Sequence, residues 1–156
     1  MFSKILVPLD GSALSEKALA MAQNLASTSD TSIHLMQVIS LRPELDARRG
    51  SGGESITILE MEQDAARQLI EIRTARGKKY LEGIAVQLQQ AGIHVTTVMR
   101  EGAADEHIVE YAKEQDIDLI VMSTHGRSGF KRFFVGSVTD RVIRTGETPV
   151  LVLPAS

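Results

Sequence analysis

Ser123-Thr124-His125-Gly126 and, after a nine-residue spacer, Gly136-Ser137 are the residues of this chain best suited to chemistry. They follow the apolar run Leu119–Met122, so the stretch reads as a strand, a glycine-bearing loop and the start of a helix. Backbone N–H groups at a helix start favour an anion, and glycines let the main chain come close to it. A phosphate is the expected guest. Gly136-Ser137 carries the stronger signal, because a helix begins there; the Ser137 hydroxyl either caps that helix or binds phosphate. Arg127, Lys131 and Arg132 lie in the loop, and Arg141 and Arg144 follow it. Guanidinium and ammonium groups suit phosphate oxygens, although each of these cations taken singly reads first as part of a solvated face. Phe130, Phe133 and Phe134 read as anchors that pin the loop to the core.

A second turn, Asp10-Gly11-Ser12, follows the first apolar run. An aspartate just past a strand accepts hydrogen bonds from ribose hydroxyls or holds a turn, and both readings stand. In an open α/β sheet ligands gather at the strand C-terminal ends, so the two turns together suggest a nucleotide site. It is of no standard type: the chain has neither G-x-x-x-x-G-K-[ST] nor G-x-G-x-x-G after its first strand. Catalysis has little support. Of His34, His94, His107 and His125 only the last sits in the loop, and no acid–base pair is evident. No His, Asp and Glu spacing suggests a metal cage; Asp10 is placed to meet a nucleotide-bound Mg2+ as one carboxylate beside phosphates.

These turns need elements to position them. Ile5–Leu9 reads as a buried strand, Ser15–Ala26 as a helix with Ala18, Leu19, Ala22, Leu25 and Ala26 on one face, capped by Ser12 or Ser15. Strands are expected at 32–39, 93–99, 119–122 and 149–153, and helices at 105–115 and 138–145. A long helical pattern runs from Leu59 to Ala91, with Gly77 a possible break. Residues 41–59, with Arg42-Pro43 and Gly50-Ser51-Gly52-Gly53, have the composition of a flexible surface loop. Strands alternating with helices imply parallel βαβ units and an open α/β sheet, and continuous apolarity in the strands agrees.

At 156 residues the chain fits one domain, 1–156, without internal repeats. The composition is ordinary, 43% hydrophobic and 24% charged, and a formal net charge of −3 gives no argument for a nucleic-acid partner. The absence of cysteine removes disulfides, thiol catalysis and thiolate metal sites. No run approaches the roughly 18 apolar residues that span a membrane, and the apolar N-terminal run is short for a signal peptide. A cytoplasmic protein that inserts into no membrane is expected.

Lys4-Ile-Leu-Val-Pro-Leu-Asp-Gly-Ser12, His125-Gly-Arg-Ser-Gly129 with Gly136-Ser-Val138, and Thr148-Pro-Val-Leu-Val152 occur in this order along the whole chain. Together they resemble the universal stress protein family. The resemblance implies a Rossmann-like open parallel five-stranded sheet, order 3-2-1-4-5, with helices on both faces, in a cytoplasmic protein that is usually dimeric. It also implies one of two branches, one that binds ATP and one without the nucleotide motif. The ATP-binding branch resembles G-x-x-G, nine residues, then G-[ST]. This chain keeps Gly126, the spacer and Gly136-Ser137, and has Ser123 in place of the first glycine. That hydroxymethyl group either crowds the ribose or donates to it.

By the same resemblance Pro8, Asp10 and Val38 line the adenine–ribose end, while Gly126, Arg127, Gly136, Ser137 and Val138 hold the phosphates; Leu9, Met122, Ser123 and Gly129 complete the set. The implied function is that of an adenine-nucleotide-binding stress-response regulator, taking ATP or AMP with Mg2+ as a companion, and not an enzyme. A nucleotide-free dimeric interaction protein and a slow ATPase are the alternatives. The final strand, Pro149–Leu153, is an apolar edge expected to pair antiparallel with a second copy.

Overall fold

Continuous apolar runs become strands in this chain because both faces of the sheet are covered, leaving no polar side to pattern. The computed structural model describes residues 2–26, 30–40, 63–124 and 136–154. In chain order these form β1 (Lys4–Pro8), α1 (Ala13–Ala26), β2 (Ser32–Ile39), α2 (Gln63–Gln90), β3 (His94–Glu101), α3 (Ala104–Glu114), β4 (Leu119–Ser123), α4 (Ser137–Thr145) and β5 (Val150–Leu153). The expected elements are all present, with ends moved by a few residues. The glycine-rich segment 41–59 lies outside the described residues.

The sheet has the order β3-β2-β1-β4-β5, and every pairing is parallel. Right-handed crossovers explain the two layers of helices. The chain first steps from β1 to β2 to β3, which places α1 and α2 on one face. It then crosses back to β4 and β5, which places α3 and α4 on the other. Ile5, Val7, Ile33 and Leu35 accordingly pack with Ala18 and Ala22 of α1 and with Leu81 and Leu88 of α2. Leu6, Met36 and Ile120 pack with Ile108 and Tyr111 of α3 and with Val142 of α4. The strand order reverses between β1 and β4, where Ile5 stands beside Leu119 and Leu6 beside Ile120.

Local chemistry fixes the ends. The Ser12 hydroxyl accepts from the Ser15 N–H at 3.2 Å, so Ser12, not Ser15, caps α1. At the opposite edge one Asp118 oxygen accepts from the Ser3 and Lys4 amides at 2.8 and 2.9 Å, which holds its carboxyl below the usual range and ties β1 to the start of β4. Gly77 does not break the long helix; α2 runs straight through it. A Cβ there would come within 2.7 Å of Met99 Cε and 2.8 Å of Gln37 Oε1. The missing side chain is what lets α2 settle closely over β2 and β3.

Candidate functional site

The C-terminal ends of β1, β2 and β4 open a cleft at the point of reversal, with a cavity of about 110 Å³. Its floor is the buried apolar trio Met36, Ile108 and Met122. Pro8, Leu9 and Asp10 border it from β1, Val38 from β2, Ser123 from β4, and Val138 with Thr139 from α4. Seven of the twelve residues expected to bind thus meet around one space, and Gly136 and Ser137 stand at the start of the helix that contributes Val138. Gly126, Arg127 and Gly129 lie outside the described residues, as do His125, Lys131, Arg132 and the three phenylalanines of the loop. Ser15, Met36, Ala104, Ile108 and Thr139 border the cavity as well. Nothing in their local sequence marks them: Met36 is one apolar strand residue among several, and the other four are helix residues that reach the cleft only through the crossover geometry.

The β1 turn is built by its own side chains. Asp10 Oδ1 accepts from the Ser12 N–H at 2.9 Å, and Gly11 has φ +80°, a conformation that suits glycine. The turn reading of Asp10 is therefore realised; the carboxylate also borders the cavity, so a ligand role remains open to it. Burial pushes the nearby Tyr80 hydroxyl up to about 12, helped by the charges of Glu16 and Asp10.

Val38 supplies a main-chain edge. In a parallel ladder alternate residues face the same neighbour. Met36 accepts from the Leu9 N–H at 2.7 Å, so Val38 also turns its N–H and C=O toward β1. The β1–β2 register ends at Pro8 beside Met36, and Val38 finds no backbone partner on that side among the described residues. One donor and one acceptor therefore face the cleft side by side.

At the far wall the N-cap of α4 is Gly136, with φ −55° and ψ 151° and no capping side chain. Ser137 is the first helical residue and exposed; the N-cap position is that of Gly136, so the Ser137 hydroxyl does not cap the helix. Amides in the first turn of such a helix have no carbonyl of their own and attract an anion. The Thr139 hydroxyl donates to the Ser123 carbonyl at 3.4 Å, fastening this turn to the end of β4.

Two of the expected phosphate cations have carboxylate partners. Arg144 Nε bonds Asp140 Oδ2 at 2.8 Å, and Arg141 lies 3.8 Å from Asp105 Oδ2. Asp105 is buried, and its Oδ1 has no hydrogen-bond partner.

The remaining histidines stand apart from the cleft. His34 Nδ1 lies 2.8 Å from the Tyr111 hydroxyl within the core, His107 Nε2 bonds the Glu101 carbonyl at 2.8 Å, and His94 opens β3. Among the described residues no three His, Asp or Glu side chains gather as a metal site. No helix there is long and apolar enough to cross a membrane.

Fold and site together define a doubly wound α/β protein of the Rossmann-like class. The model of the universal stress protein family matches residues 1–154, and the chain belongs to that family. It is 31% identical over 153 residues to universal stress protein MJ0531 of Methanocaldococcus jannaschii, covering 98% of this chain and 82% of that one. It is also 31% identical over 159 residues to MJ0577 of the same archaeon, covering 98% and 95%. The solved structure of MJ0577 matches with a TM-score of 0.80 at 28% identity, over 100% of this chain and 98% of that one. Two further structures share the fold. A universal stress protein solved in complex with cAMP has a TM-score of 0.60 at 22% identity and covers 99% and 98%. An Arabidopsis thaliana family protein solved with AMP bound has 0.66 at 17% identity and covers 99% and 92%.

Proposed function

We propose that this universal stress protein binds an adenine nucleotide, ATP or AMP, in the cleft between β1 and β4, and acts through that bound state as a dimeric stress-response regulator and not as an enzyme. The observation that carries the reading is the coincidence of three features around one space. They are an apolar cavity, a donor–acceptor edge at Val38, and an uncapped helix start at Gly136. The cavity of about 110 Å³ opens to solvent, so it takes one edge of a flat base and leaves the rest of the nucleotide outside. An adenine has one donor and one acceptor on its Watson–Crick edge, the complement of the Val38 main chain. The ribose then lies toward Asp10 and Ser123, and the phosphates toward Gly136, Ser137 and Val138, with Gly126, Arg127 and Gly129 as further members of the phosphate set. Relatives of the same fold solved with cAMP and with AMP add support. A Mg2+ ion bound with the phosphates would meet Asp10, the one carboxylate bordering the cavity among the described residues. Dimerisation is assigned to β5, an edge strand whose four residues are all half-buried.

Calorimetry with ATP and AMP tests the reading directly. Wild type is expected to bind at submillimolar nucleotide, Gly136→Val to lose binding, and Ser123→Gly to change affinity by less than about tenfold. Absence of binding at millimolar nucleotide would refute the proposal. A much larger gain from Ser123→Gly would show that Ser123 obstructs the cleft, and would favour the nucleotide-free reading. Light scattering should give twice the monomer mass, shifting to monomer in Val152→Pro: Pro149 and Leu153 accept from β4, so Val152 turns its N–H to the outer edge.

A further inference from the structure

The helices α1 and α2 lie side by side over the same face of the sheet, and a groove of about 690 Å³ runs between them on the outer surface. Glu16, Leu19, Ala20 and Gln23 form one wall, with the i, i+3, i+4, i+7 spacing of a single helical stripe. The α2 wall repeats that spacing from Arg76 through Lys79, Tyr80 and Gly83 to Gln87. Ala20 and Gly83 stand midway and make the trough deep; a Cβ at Gly83 would meet nothing within 4 Å. Leu19 and Ile84 are half-buried and give the trough its apolar lining.

Charge in the groove is positive on balance, Arg76 and Lys79 against Glu16. Arg76 and Lys79 are exposed and enter no ion pair among the described residues. They belong to a run, Arg73 to Lys79, with four cations and no acid. The single acid of the lining, Glu16, accepts from the Tyr80 hydroxyl at 3.2 Å. At 1.5 Å per residue, Arg76 to Gln87 spans about 17 Å, or three helical turns.

We propose that this groove docks an acidic amphipathic helix of a partner protein, about three turns long. Its small apolar residues enter the trough between Leu19 and Ile84, and its carboxylates meet Arg76 and Lys79. Helix-in-groove recognition requires such an apolar trough with charged rims. Cations with no ion pair among the described residues choose an acidic occupant over a neutral or basic one.

The test uses the full chain and a defined probe, a fluorescein-labelled peptide of two heptads of Glu-Leu-Ala-Glu-Ala-Leu-Glu, with a counterpart carrying Lys for Glu. Fluorescence anisotropy should show saturable binding of the acidic peptide alone. Gly83→Leu fills the trough, and the double variant Arg76→Glu, Lys79→Glu reverses the charge. Each should weaken binding at least about tenfold, while circular dichroism confirms an unchanged fold. Equal binding to wild type and both variants would overturn the proposal, as would no saturation up to about 1 mM peptide. Sedimentation with phosphatidylglycerol vesicles in place of peptide binding would assign the groove to a lipid surface. Self-association abolished by Gly83→Leu would assign it to a second copy. Either result overturns the helical partner. ATP titrations on the same proteins read the cleft independently.

Discussion

Substituting Asp10 with alanine and with asparagine separates its two jobs. Oδ1 accepts from the Ser12 amide at 2.9 Å in an exposed turn, a bond of about 0.5–1.5 kcal/mol net. Its loss in Asp10→Ala should lower the melting temperature of the free protein by roughly 1–6 °C, at about 2–4 °C per kcal/mol for a chain of this size. Asp10→Asn keeps an oxygen in the same place and should melt close to wild type. A ribose hydroxyl held against the same carboxylate under a bound nucleotide escapes the competition with water that weakens the exposed turn bond, and takes the full charged-acceptor value of about 1.5–3 kcal/mol. If the ribose donates to Asp10, alanine should therefore weaken ATP or AMP binding about 10- to 150-fold. Asparagine, a neutral acceptor, should weaken it by less. Melting curves without nucleotide and calorimetry with it give the two numbers separately. An alanine variant that melts lower yet binds with wild-type affinity would refute the ligand role and leave Asp10 a turn residue alone.

The two interior glycines of α2 should respond unequally to alanine. Gly83→Ala meets open space and should gain up to about 1 kcal/mol from helix propensity. Gly77→Ala gains the same, but its Cβ would stand 2.7 Å from Met99 Cε and 2.8 Å from Gln37 Oε1. Both atoms end flexible side chains that can swing aside, so the gain should shrink or cancel. Urea midpoints compare the pair, and an equal gain in both would contradict the close packing of α2. His34 predicts an acid limb. Burial, and then the charge of Lys4, hold its imidazole below the ordinary value of 6.5, so the fold favours the neutral ring. Stability should be full above pH 6.5 and should fall below it, where the unfolded chain takes the proton first, levelling once the folded ring is also protonated. His34→Gln should lessen that slope, and parallel wild-type and variant profiles would count against it.

The framework was legible because its signals are local. Ile5–Leu9, 32–39 and 119–122 are apolar runs that need no partner to be read, and Ala18, Ala22 and Ala26 mark a helix face at i, i+4, i+8. The turn residues Asp10, Gly11 and Gly136 announce themselves by type. What sequence reasoning missed depends on partners far along the chain. Gly77 looks like a defect until Gln37 and Met99, on two other elements, are placed beneath it. Arg141 and Arg144 look like phosphate cations until Asp105 and Asp140 are seen beside them. Ile108 and Met36 carry no sign of the cleft, since only the return of the chain from β3 to β4 brings α3 over the end of β2.

The central strand is made before either of its neighbours. β1 pairs with β2 on one side and with β4 on the other, yet 79 residues separate Ile39 from Leu119. At about 5–20 residues per second on the ribosome, roughly 4–16 s pass between completion of one neighbour and arrival of the other. Throughout that interval β1, whose Ile5, Leu6 and Val7 are fully buried in the finished fold, presents a bare hydrogen-bonding edge. Such an edge templates wrong pairings, so newly made chains are at their most aggregation-prone before β4 emerges, and a slowed or stalled ribosome between β3 and β4 prolongs that exposure.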